Sequence, residues 1–175
     1  MRELSGKRVL VTGAASGIGL SLARRFARRG AEPLLTDVNE PALAAAVRSV
    51  NDAGGAARGY VLDVTDVAAI GRVRSEIHRD GGPVDVLVNN AGVVFGGAFL
   101  DVPLERHLVT YRVNTLGPVA MTHAFLPDLV GRKEAHLVNI ASASGFIGLP
   151  FGATYASSKW SMIGFTESIR LELAR

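Results

Sequence analysis

Tyr155 and Lys159 stand four residues apart in the stretch Gly152 to Ile163, Gly-Ala-Thr-Tyr-Ala-Ser-Ser-Lys-Trp-Ser-Met-Ile. In a helix that spacing puts both side chains on one face, where they can share a charge. A free phenol titrates near pH ~10, too high to carry protons at neutral pH, and a lysine ammonium beside it favours the phenolate. A pair so arranged can take a proton from an alcohol or give one to a carbonyl. Tyr-x-x-x-Lys also arises by chance, and its plain reading is then an exposed helical pair. The elements that would position the pair have to decide.

The hydrophobic pattern supplies those elements. Arg8 to Thr12 is a short, β-branched apolar run, as expected of a strand buried on both faces of a parallel sheet. Gly13, Gly17 and Gly19 follow at once, and then an amphipathic helix from Leu20 to Arg29 that ends at Gly30. A helix start behind such a loop offers N–H groups and the positive end of a dipole, and glycines let a pyrophosphate approach the backbone. The spacing Thr-Gly-x-x-x-Gly-x-Gly differs from the usual Gly-x-Gly-x-x-Gly but suits the same task; a tight turn without a ligand is the other reading. A second strand, Pro33 to Thr36, ends in Asp37, where a dinucleotide fold holds the adenosine ribose and where a carboxylate repels a 2′-phosphate. Asp37 therefore points to NAD over NADP, while Asn39 is better placed to cap the helix from Pro41 to Ala53.

A third strand, Arg58 to Leu62, leads to Asp63 and Val64, and Asp63 is either an acceptor for the adenine amino group or a loop cap. Thr65-Asp66 then opens a helix to about Arg79. Val84 to Val88 is a fourth strand ending in Asn89-Asn90-Ala91-Gly92, where amides can tie neighbouring strands and small residues leave room for a ligand. Pro103 to about Val130 is helical, with a kink or restart expected at Gly117-Pro118. Asn114 inside it is either a satisfied core amide or a functional one. Ala135 to Ile140 supplies a fifth strand, followed by Ala141-Ser142-Ala143-Ser144-Gly145. This alternation implies an α/β fold, a Rossmann-like doubly wound parallel sheet with helices on both faces. The glycine loop, Asp37, Asn89 and Ser142 would gather at the carboxyl ends of its strands, where such sheets bind ligands.

With 175 residues, 48% of them hydrophobic, the chain is read as one domain over residues 1–175. The net charge of +3 is spread among acidic residues, and the cluster Arg24, Arg25, Arg28 and Arg29 reads as a solvated helix face, so no nucleic-acid partner is expected. Without cysteine there is no disulfide or thiolate nucleophile, and the four histidines form no His-x-x-x-His pair, so no metal site is expected. Met1 to Lys7 has no apolar signal core, and no run reaches the ~20 apolar residues of a membrane span. A cytoplasmic protein with no membrane partner is the expectation.

Taken in order, Thr12-Gly-Ala-Ala-Ser-Gly-Ile-Gly19, Asp63-Val64, Asn89-Asn-Ala-Gly92, Asn114, Ser142 and Tyr155-Ala-Ser-Ser-Lys159 resemble the single-domain branch of the short-chain dehydrogenase/reductase family. The resemblance covers essentially the whole chain. It implies a catalytic set in which Tyr155 is the general acid/base and Lys159 tunes it and holds the nicotinamide ribose. Ser142 would orient the substrate oxygen, and Asn114 would hold a water linking Lys159 to solvent. Ser142 is chosen over Ser144 because its separation from Tyr155 matches the family's. The resemblance assigns Gly13, Ser16, Gly17, Ile18 and Gly19 to the pyrophosphate and ribose, Asp37 to the adenosine ribose, Asp63 and Val64 to the adenine, and Asn90, Ala91 and Gly92 to the remaining cofactor cleft. No basic residue stands at Ala14, Ala15 or Val38, where NADP-preferring members often carry one.

The activity so implied is hydride transfer between a secondary alcohol and a ketone, with NAD as cofactor and NADP disfavoured. Family members usually continue through a sixth strand, a substrate-binding loop and helix, and a seventh strand. The sheet is therefore expected to lack the usual last two strands and the domain to be truncated at its C-terminus. A homodimer or homotetramer is expected through the long helix after the fourth strand and the tyrosine-bearing helix. Phe146, Ile147, Leu149, Pro150 and Phe151 suggest an apolar cleft wall and a lipophilic small-molecule alcohol or ketone, unless they only pack their loop. The competing reading is a non-catalytic protein that binds NAD or oligomerises.

Overall fold

The first apolar run becomes the middle of a sheet. In the computed structural model, which describes residues 3–174 and so leaves Met1, Arg2 and Arg175 outside the described residues, β1 (Arg8–Thr12) pairs in parallel with two neighbours. These are β2 (Glu32–Asp37) and β4 (Val86–Asn89). Beyond them lie β3 (Arg58–Val61) and β5 (His136–Asn139), in the order β3-β2-β1-β4-β5. Leu10 stands opposite Leu34 on one side and Leu87 on the other, and Val9, Leu10 and Val11 are wholly buried. A strand covered on both faces and both edges has no polar side to alternate, hence the continuous run. Winding reverses between β1 and β4, so the loops leaving their carboxyl ends flank the crevice where doubly wound sheets bind ligands.

Helices α1 (Gly17–Ala27), α2 (Glu40–Asn51) and α3 (Val67–Gly81) each follow a strand. Asn39 Oδ1 accepts from Ala42 N at 3.0 Å and Asp66 Oδ1 from Ala69 N at 2.9 Å, each satisfying a first-turn donor. Helix α1 starts at Gly17, earlier than the expected Leu20, because the last two loop glycines already turn as its first residues. Strand β4 starts at Val86, later than the expected Val84. Val84 N is taken by the Asp128 carboxylate at 3.3 Å, while Asp85 N still donates to Arg8 O at 2.9 Å and the Asp85 side chain accepts from Arg8 N at 3.0 Å.

The chain divides into two compact units, Met1–Ala91 with Ala120–Val138 and Gly92–Val119 with Asn139–Arg175. The first holds the sheet, α1 to α3 and most of α5 (Gly117–Val130). The second holds α4 (Leu104–Tyr111), a π-helical segment at Arg112–Leu116, a 3-10 turn at Ala143–Gly145 and α6 (Ala153–Leu173). Pro118 has no N–H to give the Asn114 carbonyl four residues earlier, and there the helix widens into its π segment. The expected irregularity at Gly117-Pro118 is thus a restart, with α5 beginning at Gly117. Among the described residues no helix is long and apolar enough to cross a membrane.

In the first unit a buried carboxylate gathers several elements. Asp128 on α5 accepts from Arg74 Nη2 at 2.5 Å and Val84 N at 3.3 Å, and pairs with His78 Nε2 at 2.6 Å. Burial alone would raise its pKa, but the hydrogen bonds from Arg74 and His78 outweigh that and hold it below the usual carboxylate range. A carboxyl whose folded pKa lies below its unfolded value contributes stability above about pH 4, and that contribution is lost as pH falls through the folded value. Asp128→Asn, which leaves Arg74 without its counter-charge, is expected to cost about 3 kcal/mol at pH 7 and to flatten the loss of stability below about pH 4. Urea denaturation at both pH values checks this; equal stability of the two proteins at pH 7 would contradict it.

Candidate active site

The first unit places the glycine loop at the carboxyl end of β1. Gly13 has a φ of +62°, and a Cβ added there would lie 2.8 Å from Ala91 Cα; one added at Gly19 would lie 2.3 Å from Gly13 O and 2.6 Å from Asn90 Nδ2. Only a residue without a side chain fits either position. Short polar side chains hold the loop. Asn90 Nδ2 donates to Thr12 O at 2.9 Å and Gly13 O at 3.0 Å, while Thr12 Oγ1 accepts from Asn90 N and Ala91 N, both at 3.0 Å. Asn89 turns the other way, its Nδ2 donating to Thr122 Oγ1 at 3.1 Å. The amides at the end of β4 therefore tie neighbouring segments together.

Helix α1 begins in this loop with no side-chain hydrogen bond capping its first turn. Ser16, Gly17 and Ile18 are exposed, and a Cβ added at Gly17 would meet open space. Uncapped N–H groups beside open space suit a phosphate. Asp37 ends β2 and braces the same loop, Oδ2 accepting from Ala15 N at 3.1 Å and Oδ1 from Asn39 N at 3.0 Å. Asp63 Oδ1 accepts from both Thr65 N and Thr65 Oγ1 at 2.8 Å, so its loop-capping bonds are formed, and Val64 is buried.

The second unit carries Asn114, Ser142, Tyr155 and Lys159, with Gly92 exposed at the start of its first loop. On α6 the Lys159 nitrogen lies 5.8 Å from the centre of the Tyr155 ring. Lys159 is only 6% exposed, its Nζ donates to Ile140 O at 2.8 Å, and no carboxylate among the described residues pairs with it. Burial lowers its pKa from the ordinary lysine value. The 3-10 turn lies close against the helix, because a Cβ added at Gly145 would stand 2.9 Å from Lys159 O and 2.6 Å from Ile163 Cδ1. Ser142 caps that turn, Oγ accepting from Ser144 N at 3.2 Å. Asn114 sits in the π segment with its amide satisfied: Oδ1 accepts from Val93 N at 2.8 Å, and Nδ2 donates to Val93 O at 2.9 Å and to Ser158 Oγ at 3.1 Å.

A family model described as short chain dehydrogenase matches residues 7–175. The chain belongs to the short-chain dehydrogenase/reductase family. Epidermal retinol dehydrogenase 2 of Mus musculus is 37% identical over 172 residues, which are 98% of this chain and 56% of that protein. Among solved structures, NAD+-bound xylitol dehydrogenase is similar with a TM-score of 0.94 and 36% identity, over 99% of this chain and 67% of that one. A metagenomic short-chain oxidoreductase in complex with NADP is similar with a TM-score of 0.91 and 35% identity, over 97% and 77%. The chain spans about half the length of the curated relatives it matches.

Three residues in this dehydrogenase/reductase chain carry no expectation from sequence yet shape the site: Thr12, Gly145 and Ser158. Thr12 and Ser158 are hydroxyls inside buried stretches, and that mismatch was the available signal. Gly145 looked like any loop glycine, because the carbonyl it must admit belongs to a residue well along the chain. Gly145→Ala is expected to lower stability by about 1–3 kcal/mol, since backbone must move to admit the methyl. Gly164→Ala, on the same helix α6 with open space at its Cβ position, is expected to raise it by about 0.5–1 kcal/mol. Thermal melts of the two variants check the pair, and a Gly145→Ala protein as stable as the wild type would mean that the turn is not pressed against the helix.

Proposed function

We propose that the chain is an NAD-dependent oxidoreductase that interconverts an alcohol and a carbonyl compound, with Tyr155 as general acid/base. The observation that carries this reading is Lys159. A buried ammonium with a carbonyl partner and, among the described residues, no carboxylate weakens the fold, and such groups cluster where their charge is used. Here the charge stands one helical turn from a phenol, its nitrogen 5.8 Å from the ring centre. In the oxidative direction Tyr155 takes the hydroxyl proton of the substrate and Ser142 donates to the same oxygen, orienting it. Lys159 passes the proton on to a water held at Asn114. Because the Asn114 amide is engaged with Val93 and Ser158, we assign that water to its backbone carbonyl, which Pro118 leaves without a regular helical donor. Bound NAD supplies the hydride acceptor.

The first unit supports a dinucleotide through the side-chain-free positions Gly13 and Gly19 and the uncapped start of α1. We assign Gly13, Ser16, Gly17, Ile18 and Gly19 to the pyrophosphate and its ribose, Asp37 to the adenosine ribose, and Asp63 and Val64 to the adenine. We assign the remaining cofactor contacts to Asn90, Ala91, Gly92, Tyr155 and Lys159. The similar solved structures hold NAD in one case and NADP in another. The choice therefore rests on the Asp37 charge and on the lack of a basic residue at Ala14, Ala15 and Val38. Exposed Phe146, Ile147 and Phe151 in the second unit support a lipophilic substrate. The mouse relative is named for retinol, a lipophilic primary alcohol, so both primary and secondary alcohols belong to the class to be tried. We place the enzyme in the cytoplasm as a homodimer or homotetramer, a reading supported by exposed Leu104 and Leu108 on α4 and Trp160 on α6.

Two variants test the assignment. On a panel of lipophilic primary and secondary alcohols with NAD, Tyr155→Phe is expected to lower turnover at least a hundredfold while leaving the NAD dissociation constant within about twofold. A Tyr155→Phe protein that keeps its activity would overturn the acid/base role, and wild-type binding of NAD without turnover on any alcohol would favour the non-catalytic reading. Asp37→Asn, which keeps an acceptor for Ala15 N but removes the charge, is expected to narrow the preference for NAD over NADP about tenfold or more. Unchanged selectivity in competitive titrations would move the ribose contact to another residue.

A further inference from the structure

Helix α6 presents Tyr155 and Lys159 from its first turns, yet Gly152 at its start offers no side-chain cap. Thr154 Oγ1 meets His107 Nδ1 at 2.5 Å, and a further, buried tie lies one residue before Lys159. Ser158 is wholly buried, its Oγ donates to the Tyr155 carbonyl at 2.7 Å, and it accepts from Asn114 Nδ2 at 3.1 Å. The directions of these bonds follow from proton counting. A serine hydroxyl has one proton, here given to Tyr155 O, so the Asn114 amide must supply the other. The Asn114 amide cannot be turned over either, since Val93 presents both its N–H and its C=O to it and only one orientation satisfies both.

We infer that Ser158 is a positioning residue for the proton transfer, linking the Asn114 amide to the Tyr155 carbonyl so that the tyrosine turn of α6 keeps its setting beside Lys159. The inference rests on the acid/base reading of Tyr155 for its functional meaning, but the link itself stands on the geometry. Ser157 supplies the contrast. It makes the same kind of bond to its own helix, Oγ to Thr154 O at 3.1 Å, but its outside partner is the hydroxyl of Tyr111 at 2.5 Å. Removing the Ser158 hydroxyl leaves an amide proton without its acceptor in a fully buried place, and the turn has to shift to relieve it. For two charges several ångströms apart, a change of about 1 Å in their separation is worth about 0.3 pH unit at an effective dielectric near 20.

The test is a 13Cζ-tyrosine NMR titration of the full chain, which has three tyrosines, with Tyr155→Phe identifying the resonance. Ser158→Ala is expected to move the Tyr155 titration midpoint by about 0.3 pH unit or more and to leave NADH affinity within about twofold. Ser158→Cys, close in size and weak in hydrogen bonding, is expected to move it likewise and serves if the alanine variant does not fold. Ser157→Ala is expected to leave it in place. Where turnover is measurable, the Ser158 variants should lose about tenfold in kcat with KM little changed. Variants that melt earlier but titrate at Tyr155 as the wild type does would reduce Ser158 to packing and overturn the inference. Full turnover by Tyr155→Phe would instead remove the acid/base reading, an outcome separate from whether the Ser158 variants move the midpoint.

Discussion

An ammonium withdrawn from water, with no carboxylate beside it among the described residues, is the constraint around which the second unit is arranged. Transfer of such a group into a protein interior is unfavourable on the order of several kcal/mol, and the lowered pKa of Lys159 is the sign of it. Among the described residues its acceptor is the carbonyl of Ile140, the residue that follows β5. Close approach of the next turn, which Ser142 caps, to the lysine backbone depends on Gly145 having no side chain. On the other side of the sequence, Asn114 reaches Ser158 from the π segment that precedes Pro118. Residues with no chemistry of their own thus decide where the chemical ones stand.

The first unit follows a related rule, in which short polar side chains hold main-chain groups at strand ends. Thr12 receives two backbone N–H groups, Asn90 gives both amide protons to backbone carbonyls, and Asp37 accepts from two backbone N–H groups. Each carboxylate oxygen of Asp37 keeps further acceptor capacity, so bracing the loop and meeting a ribose are compatible tasks. The adjacent amides of Asn89 and Asn90 serve opposite neighbours, as alternation along a strand requires.

Much of this was legible in the sequence where the signal was local. All five strands lie within two residues of their expected bounds, and for β1, β2 and β4 the reason is that runs buried on both faces carry a pattern independent of what covers them. The Tyr155–Lys159 pairing was legible because a four-residue spacing has one meaning once the segment is helical. Links that span the chain were not. Asn90 meets Gly13 across 77 residues and Asn114 meets Ser158 across 44, and neither partner's type names the other. The open choice at Asn114 between a satisfied core amide and a functional one needed its three bonds to be seen. The start of α1 was misplaced for a different reason: glycine's poor helix propensity argued against Gly17 and Gly19, and the loop's need for backbone without side chains prevailed.

The proposal that this chain holds NAD is tested most directly by calorimetric titration of the wild-type protein with NAD and then with NADP. The account predicts saturable one-site binding of NAD and binding of NADP at least tenfold weaker, since the Asp37 carboxylate opposes a 2′-phosphate. No binding of either nucleotide by a demonstrably folded sample, or a preference for NADP, would contradict it.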